Sequence, residues 1–238
     1  GYNRKKYVWC GPLWLFPSTL RSLLSSPTHP HILLRSAPPE ARRKILYMYM
    51  LGYEVDFGHM EAVNLISSAK YSEKSVGYAW CALMLREGDE LLRLIINSIR
   101  SDLISRQDNA ICLALNSICN VGGKEFAEAL ATDVLALLTA NTTRTYVRKK
   151  AALTTLRLYR KLPDMLPASE WADKILMLLD EKNIGVLTSV SSLVLGILAV
   201  DTQGWESCAA KAARTLTRLV LNKDYSNERK IPGSDCLA

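Results

Sequence analysis

The sequence predicts an all-α protein, an armadillo/HEAT-like α-solenoid of stacked antiparallel helix pairs. Helical hydrophobic periodicity fills residues 44–222, and this stretch lacks the period-two alternation that marks β-strands. Amphipathic and more evenly apolar helical segments follow each other in turn, so outer and inner helices are expected to alternate. The inner segments begin near Val76, Ile111, Val147 and Val186, a period of roughly 35–39 residues that suits this repeat class.

Four amphipathic stretches are predicted to be the outer helices. In residues 89–105 the apolar positions fall at spacings of three and four, which places them on one face of a helix. The same spacing recurs in residues 124–139, 170–180 and 205–221. Each of these helices is expected to bury one side and to leave the other in water.

Four more evenly apolar stretches are predicted to be the inner, buried helices: residues 75–86, 109–120, 146–161 and 186–200. The last lies in the longest uncharged stretch, residues 183–200, which holds too many hydroxyl side chains for a lipid-facing helix. Clusters of turn-forming residues separate the helices. They are Gly88, Gly122-Gly123, Asn141-Thr142-Thr143, Leu162-Pro163-Asp164, Asn183-Ile184-Gly185 and Gln203-Gly204.

Composition and charge exclude several classes of function. The 238 residues, 49% of them hydrophobic, are enough for one or two folded domains. Of the formal net charge of +7, nearly all lies in residues 1–43, so the rest of the chain is close to neutral and is not expected to bind nucleic acid. The six cysteines lack the spacing of a metal site or disulfide framework, and we predict buried thiols in a reducing compartment.

Proline divides the chain into segments. Six of the nine prolines lie before Lys44, so residues 10–43 are predicted to be a disordered, Pro-rich insertion. A basic start, residues 1–9, precedes it, and the helical trunk, residues 44–224, follows. Residues 225–238 are an atypical tail. Because the first residue is Gly rather than Met, we expect a piece of a longer chain or a processed product.

No catalytic constellation emerges from the sequence. Asp56-Phe57-Gly58 spells the magnesium-binding triplet of protein kinases, but no catalytic loop precedes it and no nucleotide-binding lobe fits, so we interpret it as a turn. Gly122-Gly123-Lys124 lacks the upstream glycine and the Ser or Thr of a phosphate-binding loop. The sequence therefore predicts a protein that is not an enzyme and that uses neither a metal nor a cofactor.

Two basic clusters are the candidate binding sites. The first, Arg4-Lys5-Lys6-Tyr7, is compact and has further aromatic residues beside it. Each cation near an anionic membrane contributes roughly 1 kcal/mol, so three need additional contacts for stable binding. The second cluster lies on the predicted helix 146–161, and we interpret it as a solvated helix face. It comprises Arg148, Lys149, Lys150, Arg157, Arg160 and Lys161.

Several segments of the sequence resemble the trunk of the adaptins, the large subunits of clathrin adaptor complexes. The longest is Tyr47–Val63, and Tyr71–Tyr78, Val147–Leu153 and Leu179–Thr188 continue it. The stretch Arg148–Leu153 is shared with γ-adaptin, whereas Asp56–Val63 is typical of the α type, which belongs to adaptor protein complex 2 of the plasma membrane. The resemblance covers residues 1–9 and 44–224.

The resemblance implies a non-enzymatic trunk subunit of a heterotetramer with β, μ and σ partners. Such complexes select cargo and recruit clathrin for endocytosis and vesicle-mediated protein transport. It also implies that Arg4, Lys5, Lys6 and Tyr7 bind phosphatidylinositol 4,5-bisphosphate, since a guanidinium and two ammonium groups suit a doubly phosphorylated ring. The implied location is the cytosol and the cytoplasmic face of the plasma membrane in clathrin-coated pits.

Two departures and two alternatives accompany this interpretation. Residues 10–43 match nothing in the adaptins, and we interpret them as a retained intron or a mistaken gene model, because their removal joins Lys5–Gly52 into one amphipathic helix. The pattern is also lost after Asp224. One alternative is the trunk of a γ-type subunit of the Golgi and endosomes. The other is an armadillo-type nuclear import carrier, although the repeated Trp and Asn positions of that class are missing.

Overall fold

The computed structural model describes residues 39–52, 59–86, 88–140 and 142–221. Within these ranges the protein consists of ten α-helices and one short 3-10 helix, and contains no β-strand. The chain divides into two compact units, residues 1–98 and 99–238, with the division inside the fourth helix. The prediction of an all-α fold is confirmed for the described part of the chain.

Unit 1 contains α1 (Pro39–Met50), α2 (His59–Ile66) and α3 (Tyr71–Met84). Helices α2 and α3 pack closely along their length, and α1 packs against α3. Gly77 permits the α2–α3 approach, because a Cβ at this position would lie 2.9 Å from the backbone nitrogen of Ile66. Trp80, at 1% exposure, is the largest side chain of this core.

Helix α1 begins earlier than the sequence predicts. Its first residue is Pro39, which lies inside the segment 10–43 for which the sequence predicts disorder. Proline is tolerated in the first turn of a helix, where its missing N–H has no partner within the helix in any case. The predicted boundary at Lys44 therefore lies within a helix. Residues 10–38 and 222–238 lie outside the described residues.

The remaining helices repeat the inner and outer pattern. Helix α4 (Glu90–Ile104) crosses the division between the units. Unit 2 then contains α5 (Asp108–Val121), α6 (Lys124–Thr139), α7 (Thr145–Tyr159), a 3-10 turn (Pro163–Met165), α8 (Ala168–Leu178), α9 (Ile184–Leu198) and α10 (Glu206–Leu221). Helices α3, α5, α7 and α9 begin 37, 37 and 39 residues apart. The observed period thus agrees with the predicted one.

Unit 2 is a stack of helices in two layers. Helices α5, α7 and α9 lie side by side in the inner layer, with α7 in the middle and its largest contact against α9. Helix α6 packs against α7 from the outer layer, where α8 also contacts α10. The described part of the chain is therefore built from stacked helix pairs of the armadillo/HEAT type, as the sequence predicts.

Small and apolar residues bring α7 and α9 together. Ala151 and Ala152 of α7 are completely buried. On the opposing helix Gly196 lies directly against the Leu156 side chain, so that a Cβ there would overlap it. Close packing of this kind removes apolar surface from water, at roughly 25 cal/mol for each Å².

Helix α9 confirms the interpretation of the uncharged stretch as a buried inner helix. Val186, Val190 and Leu193 are completely buried. The hydroxyl groups of Thr188, Ser189 and Ser192 donate to backbone carbonyls four residues earlier, as Ser189 Oγ does to Gly185 at 2.9 Å, so these three donors are paired within the helix. Among the helices of the described ranges, none combines the length and the apolarity that a bilayer crossing requires.

Candidate docking surface

The structure describes one of the two basic clusters. Arg4, Lys5, Lys6 and Tyr7 lie outside the described residues. The second cluster is described completely and lies on α7 and the turn that follows it. The candidate surface is therefore built from α7 and the two inner helices beside it.

Helix α7 presents one continuous exposed side. Lys149, Lys150, Leu153, Arg157 and Arg160 lie on it at the spacing of a helix face, and we call these five residues the α7 face. Lys150 is half-buried and the other four are exposed. The intervening positions, such as Ala151 and Leu158, are buried against neighbouring helices. For Lys149, Arg157 and Arg160 the prediction of an exposed helix face is confirmed.

Arg148 contradicts that prediction. Its side chain is 8% exposed and forms an ion pair with Glu181, in the turn between α8 and α9. Its Nη2 also donates to the carbonyl oxygen of Ala140, at the end of α6, at 2.9 Å. Position 148 shares a side of α7 with Ala152 and Thr155, both buried, which is the sequence signal that could have indicated its burial.

Two of the lysines lie close to the neighbouring helices. Lys150 Nζ lies 3.0 Å from Oδ1 of Asn116 on α5 and donates to it. On the other side of α7, Lys149 lies over the first turn of α9, where its Nζ would be 3.8 Å from a Cβ at Gly185. The two ammonium groups therefore flank the exposed side of α7, one towards each neighbour.

Arg157 and Lys150 affect the thiol of Cys119, which lies where α5 packs against α7. We call this contact the α5–α7 seam. Burial raises the pKa of the Cys119 thiol in this seam. The hydrogen bond with Thr154 and the positive charges of Arg157 and Lys150 lower the pKa and so offset part of that rise. The Cys119 Sγ lies 3.2 Å from Thr154 Oγ1, so the thiol contacts α7 directly.

No carboxylate of α5, α7 or α9 pairs with the cations of the α7 face. Residues 134–163 contain no aspartate or glutamate. The single carboxylate of α5, Asp108, is paired with Arg144 at 2.9 Å, and α9 has no charged residue. The exposed side chains of α5 include the neutral amides of Asn116 and Asn120. A surface of this kind attracts an anionic partner.

Four of the six cysteines lie within the described residues. Cys81, Cys112, Cys119 and Cys208 are free thiols, and all but Cys119 are buried. Within the described ranges no three His, Cys, Asp or Glu side chains are grouped as a metal site requires.

Comparison with known proteins decides the family. Residues 36–230 match the adaptin N terminal region. The chain belongs to the adaptin family. In this adaptin the matched region begins eight residues before Lys44 and ends six residues after Asp224, the limits that the sequence predicts for the trunk.

Several curated relatives of this adaptin are α subunits of AP-2 complexes. It is 49% identical to the AP-2 complex subunit alpha-1 of Arabidopsis thaliana over 185 residues, which are 78% of this chain and 18% of that protein. It is 45% identical to the AP-2 complex subunit alpha-2 of Dictyostelium discoideum, over 78% of this chain and 19% of that protein. The adaptin thus spans about a fifth of the length of these relatives, and the resemblance to the α type is confirmed.

A γ-type relative and a structural neighbour complete the comparison. The AP-1 complex subunit gamma-1 of Mycosarcoma maydis is 32% identical over 160 residues, covering 67% of this chain and 18% of that protein. A homology model of the full-length AP-3 complex in an intermediate open conformation contains a chain with a TM-score of 0.61. That chain is 22% identical to this adaptin. The match covers 77% of this adaptin and 31% of the chain in the AP-3 model. This likeness supports the helical fold.

Proposed function

We propose that this adaptin is a non-enzymatic trunk subunit of an α-type clathrin adaptor complex that acts in endocytosis. The observation that carries the proposal is the 49% identity to AP-2 α subunits, which exceeds the 32% identity to the AP-1 γ subunit. The stacked helix pairs of unit 2 support a scaffold role, because they present extended surfaces for other proteins. The proposed location is the cytosol and the cytoplasmic face of the plasma membrane, in clathrin-coated pits.

The proposed partners are the β, μ and σ subunits of the same heterotetramer, with clathrin bound indirectly. Co-expression with the β, μ and σ subunits of an AP-2 complex tests this directly. We expect a stoichiometric complex that survives size-exclusion chromatography. The same experiment with the partner subunits of an AP-1 complex is the control, and preferential assembly there would favour the γ-type alternative.

We also propose that Arg4, Lys5, Lys6 and Tyr7 bind the headgroup of phosphatidylinositol 4,5-bisphosphate. The support is the compact run of three cations beside a tyrosine. At roughly 1 kcal/mol for each cation, replacing Arg4, Lys5 and Lys6 by Ala should weaken binding to phosphoinositide vesicles about a hundredfold. Exposed charges are screened over about 8 Å at physiological ionic strength, so binding should also weaken with added salt.

Vesicle co-sedimentation measures the effect. The matched control replaces Lys124, Lys174 and Arg214, three exposed cations of the outer layer, by Ala. Helix content should be the same in both variants. Equal binding by the wild type and the variant at residues 4–6 would show that the lipid site lies elsewhere.

A further inference from the structure

We propose that the α7 face docks against an acidic helix of a partner protein. This inference rests on the proposed function, since it assigns a surface of the adaptin to one of the partners in the adaptor complex. It concerns Lys149, Lys150, Leu153, Arg157 and Arg160, and it is independent of the cluster at residues 4–7.

The charge around the α7 face is complementary to an acidic partner. The thirty residues from 134 to 163 carry seven cations and no carboxylate. Arg144 pairs with Asp108 and Arg148 with Glu181, so neither contributes to the charge of the α7 face. The cations of the α7 face have no such partner on α5 or α9, so a carboxylate-rich surface is the complement that would neutralise them.

The spacing of the cations along α7 matches the repeat of a partner helix. Lys150 and Arg157 are seven residues apart on one helix, which is about 10 Å along the axis at 1.5 Å per residue. Acidic residues seven apart on a partner helix repeat at the same distance. Lys149 and Arg160 extend the charged line to about 16 Å, the length of three helical turns.

Exposed apolar and amide groups on this surface favour a protein over a membrane. Leu153 is 40% exposed in the middle of the α7 face, and Leu195 of α9 is 68% exposed. Asn116 and Asn120 are exposed on α5. A protein surface can bury the leucines and supply further hydrogen bonds to the amides, whereas the apolar region of a bilayer offers the amides no hydrogen-bonding groups.

Lysine footprinting tests the proposal. The wild-type chain, alone and in complex with the β, μ and σ subunits, is treated with an acetylating reagent, and the modification rates of individual lysines are read by mass spectrometry. We expect the rates of Lys149 and Lys150 to fall at least tenfold in the complex. Lys124 and Lys174 of the outer layer are the controls and should keep their rates.

Charge reversal provides the second measurement. The double variant Lys150→Glu with Arg157→Glu should weaken capture of the partner subunits at least a hundredfold, while Lys124→Glu with Lys174→Glu should leave it unchanged. Circular dichroism verifies that both variants keep their helix content. If the first variant does not fold, the neutral pair Lys150→Gln with Arg157→Gln replaces it, with an expected loss of at least tenfold.

The outcomes separate this inference from the proposed function. If the wild-type chain forms no complex, the proposed function is wrong and the inference falls with it. A complex in which Lys149 and Lys150 react as fast as in the free chain overturns the inference alone. Protection of these lysines by phosphoinositide vesicles, but not by the partner subunits, would assign the face to a membrane and also overturn it.

Discussion

Arg148 of α7 and Glu181 of the turn before α9 form an ion pair in which the arginine side chain is almost completely buried. The same guanidinium donates to the carbonyl oxygen of Ala140 at the end of α6. One side chain thus connects the end of an outer helix, the first turns of an inner helix and the approach to the next inner helix. Its Nε is buried without a partner, so the site depends on the contacts of its two terminal nitrogens.

Replacement of Arg148 by Met should lower the free energy of unfolding by about 2 kcal/mol. The change leaves Glu181 without its counter-ion and removes one of the two donors to the Ala140 carbonyl, which keeps the Thr143 N–H. The partial exposure of Glu181 keeps the loss below that of a fully buried pair. Urea denaturation measures it. Lys149→Met, one position along and exposed, is the control and should change stability by less than about 0.5 kcal/mol. Equal effects of the two substitutions would contradict the role of the ion pair.

Alanine substitutions at Gly77 and Gly196 should differ in their effect on stability, because the new Cβ meets backbone at one position and a side chain at the other. An alanine Cβ at Gly77 would meet the backbone of α2, including Ile66 N at 2.9 Å and Ala62 O at 3.0 Å, which cannot rotate away. At Gly196 the Cβ would meet the end of the Leu156 side chain, which can rotate away. We expect Gly77→Ala to destabilise by about 2 kcal/mol. Gly196→Ala should be close to neutral, since alanine also favours the helix by about 1 kcal/mol.

Thermal unfolding of these two variants, followed by circular dichroism, separates the cases. A lower melting temperature for Gly196→Ala than for Gly77→Ala would show that Leu156 is held rigidly. The α7–α9 contact would then tolerate an added methyl group less well than the α2–α3 contact.

The Asn183→Ala variant should lose about 1 kcal/mol of stability. The Asn183 side chain accepts hydrogen bonds from the backbone N–H groups of Gly185 and Val186, at 3.0 and 3.3 Å, and so caps α9. Asn120→Ala, at an exposed position within α5, is the control and should be neutral or slightly stabilising. The comparison is made by urea denaturation, and equal stability of Asn183→Ala and wild type would rule out a contribution from the cap.

Cys81 should make the stability of unit 1 depend on pH in the alkaline range. Burial raises the pKa of its thiol from 9.0 to about 12. The unfolded chain therefore loses this proton near pH 9 and the folded chain only near pH 12, so the contribution is complete below pH 9 and is lost as the pH rises towards 12. The stability gap between wild type and Cys81→Ala should be constant up to pH 9 and shrink above it. A gap that grows with pH would contradict the raised pKa of Cys81 in the folded chain.

The start of α1 gives a test of the predicted insertion. We expect a form that lacks residues 10–38 to melt at the same temperature as the full chain or higher, because α1 from Pro39 to Met50 is retained. A form that lacks residues 10–43 also loses the first turn of α1 before the buried Ile45 and Leu46. Differential scanning calorimetry compares the two. If the form that lacks residues 10–38 unfolds, these residues are required for the folded structure.

Most of the helices could be predicted from local pattern. The stretch predicted as residues 124–139 is α6 with the same limits, and the inner stretch 109–120 differs from α5 by one residue at each end. These limits could be predicted because burial on one side of a helix imposes a spacing that the chain itself displays. The start of α1 at Pro39 could not be predicted in this way, because a proline that ends one helix can equally begin another.

The candidate surface was harder to predict than the helices. Sequence alone indicated a basic strip on α7, and the structure leaves Lys149, Arg157 and Arg160 exposed while it buries Arg148. The partner of Arg148 is 33 residues away, in the turn before the next inner helix. No local pattern reports a contact over that distance, since it exists only after α7 and α9 have packed.

The sequence by itself determined the helices, their alternation as inner and outer members and the membership in the adaptin family. These features depend on spacing and residue type, which are local properties of the chain. Only the tertiary structure decided which cations are available to a partner. Whether a guanidinium is buried in an ion pair, as in Arg148, or stands on the surface, as in Arg157, depends on the carboxylates and helices that packing brings beside it.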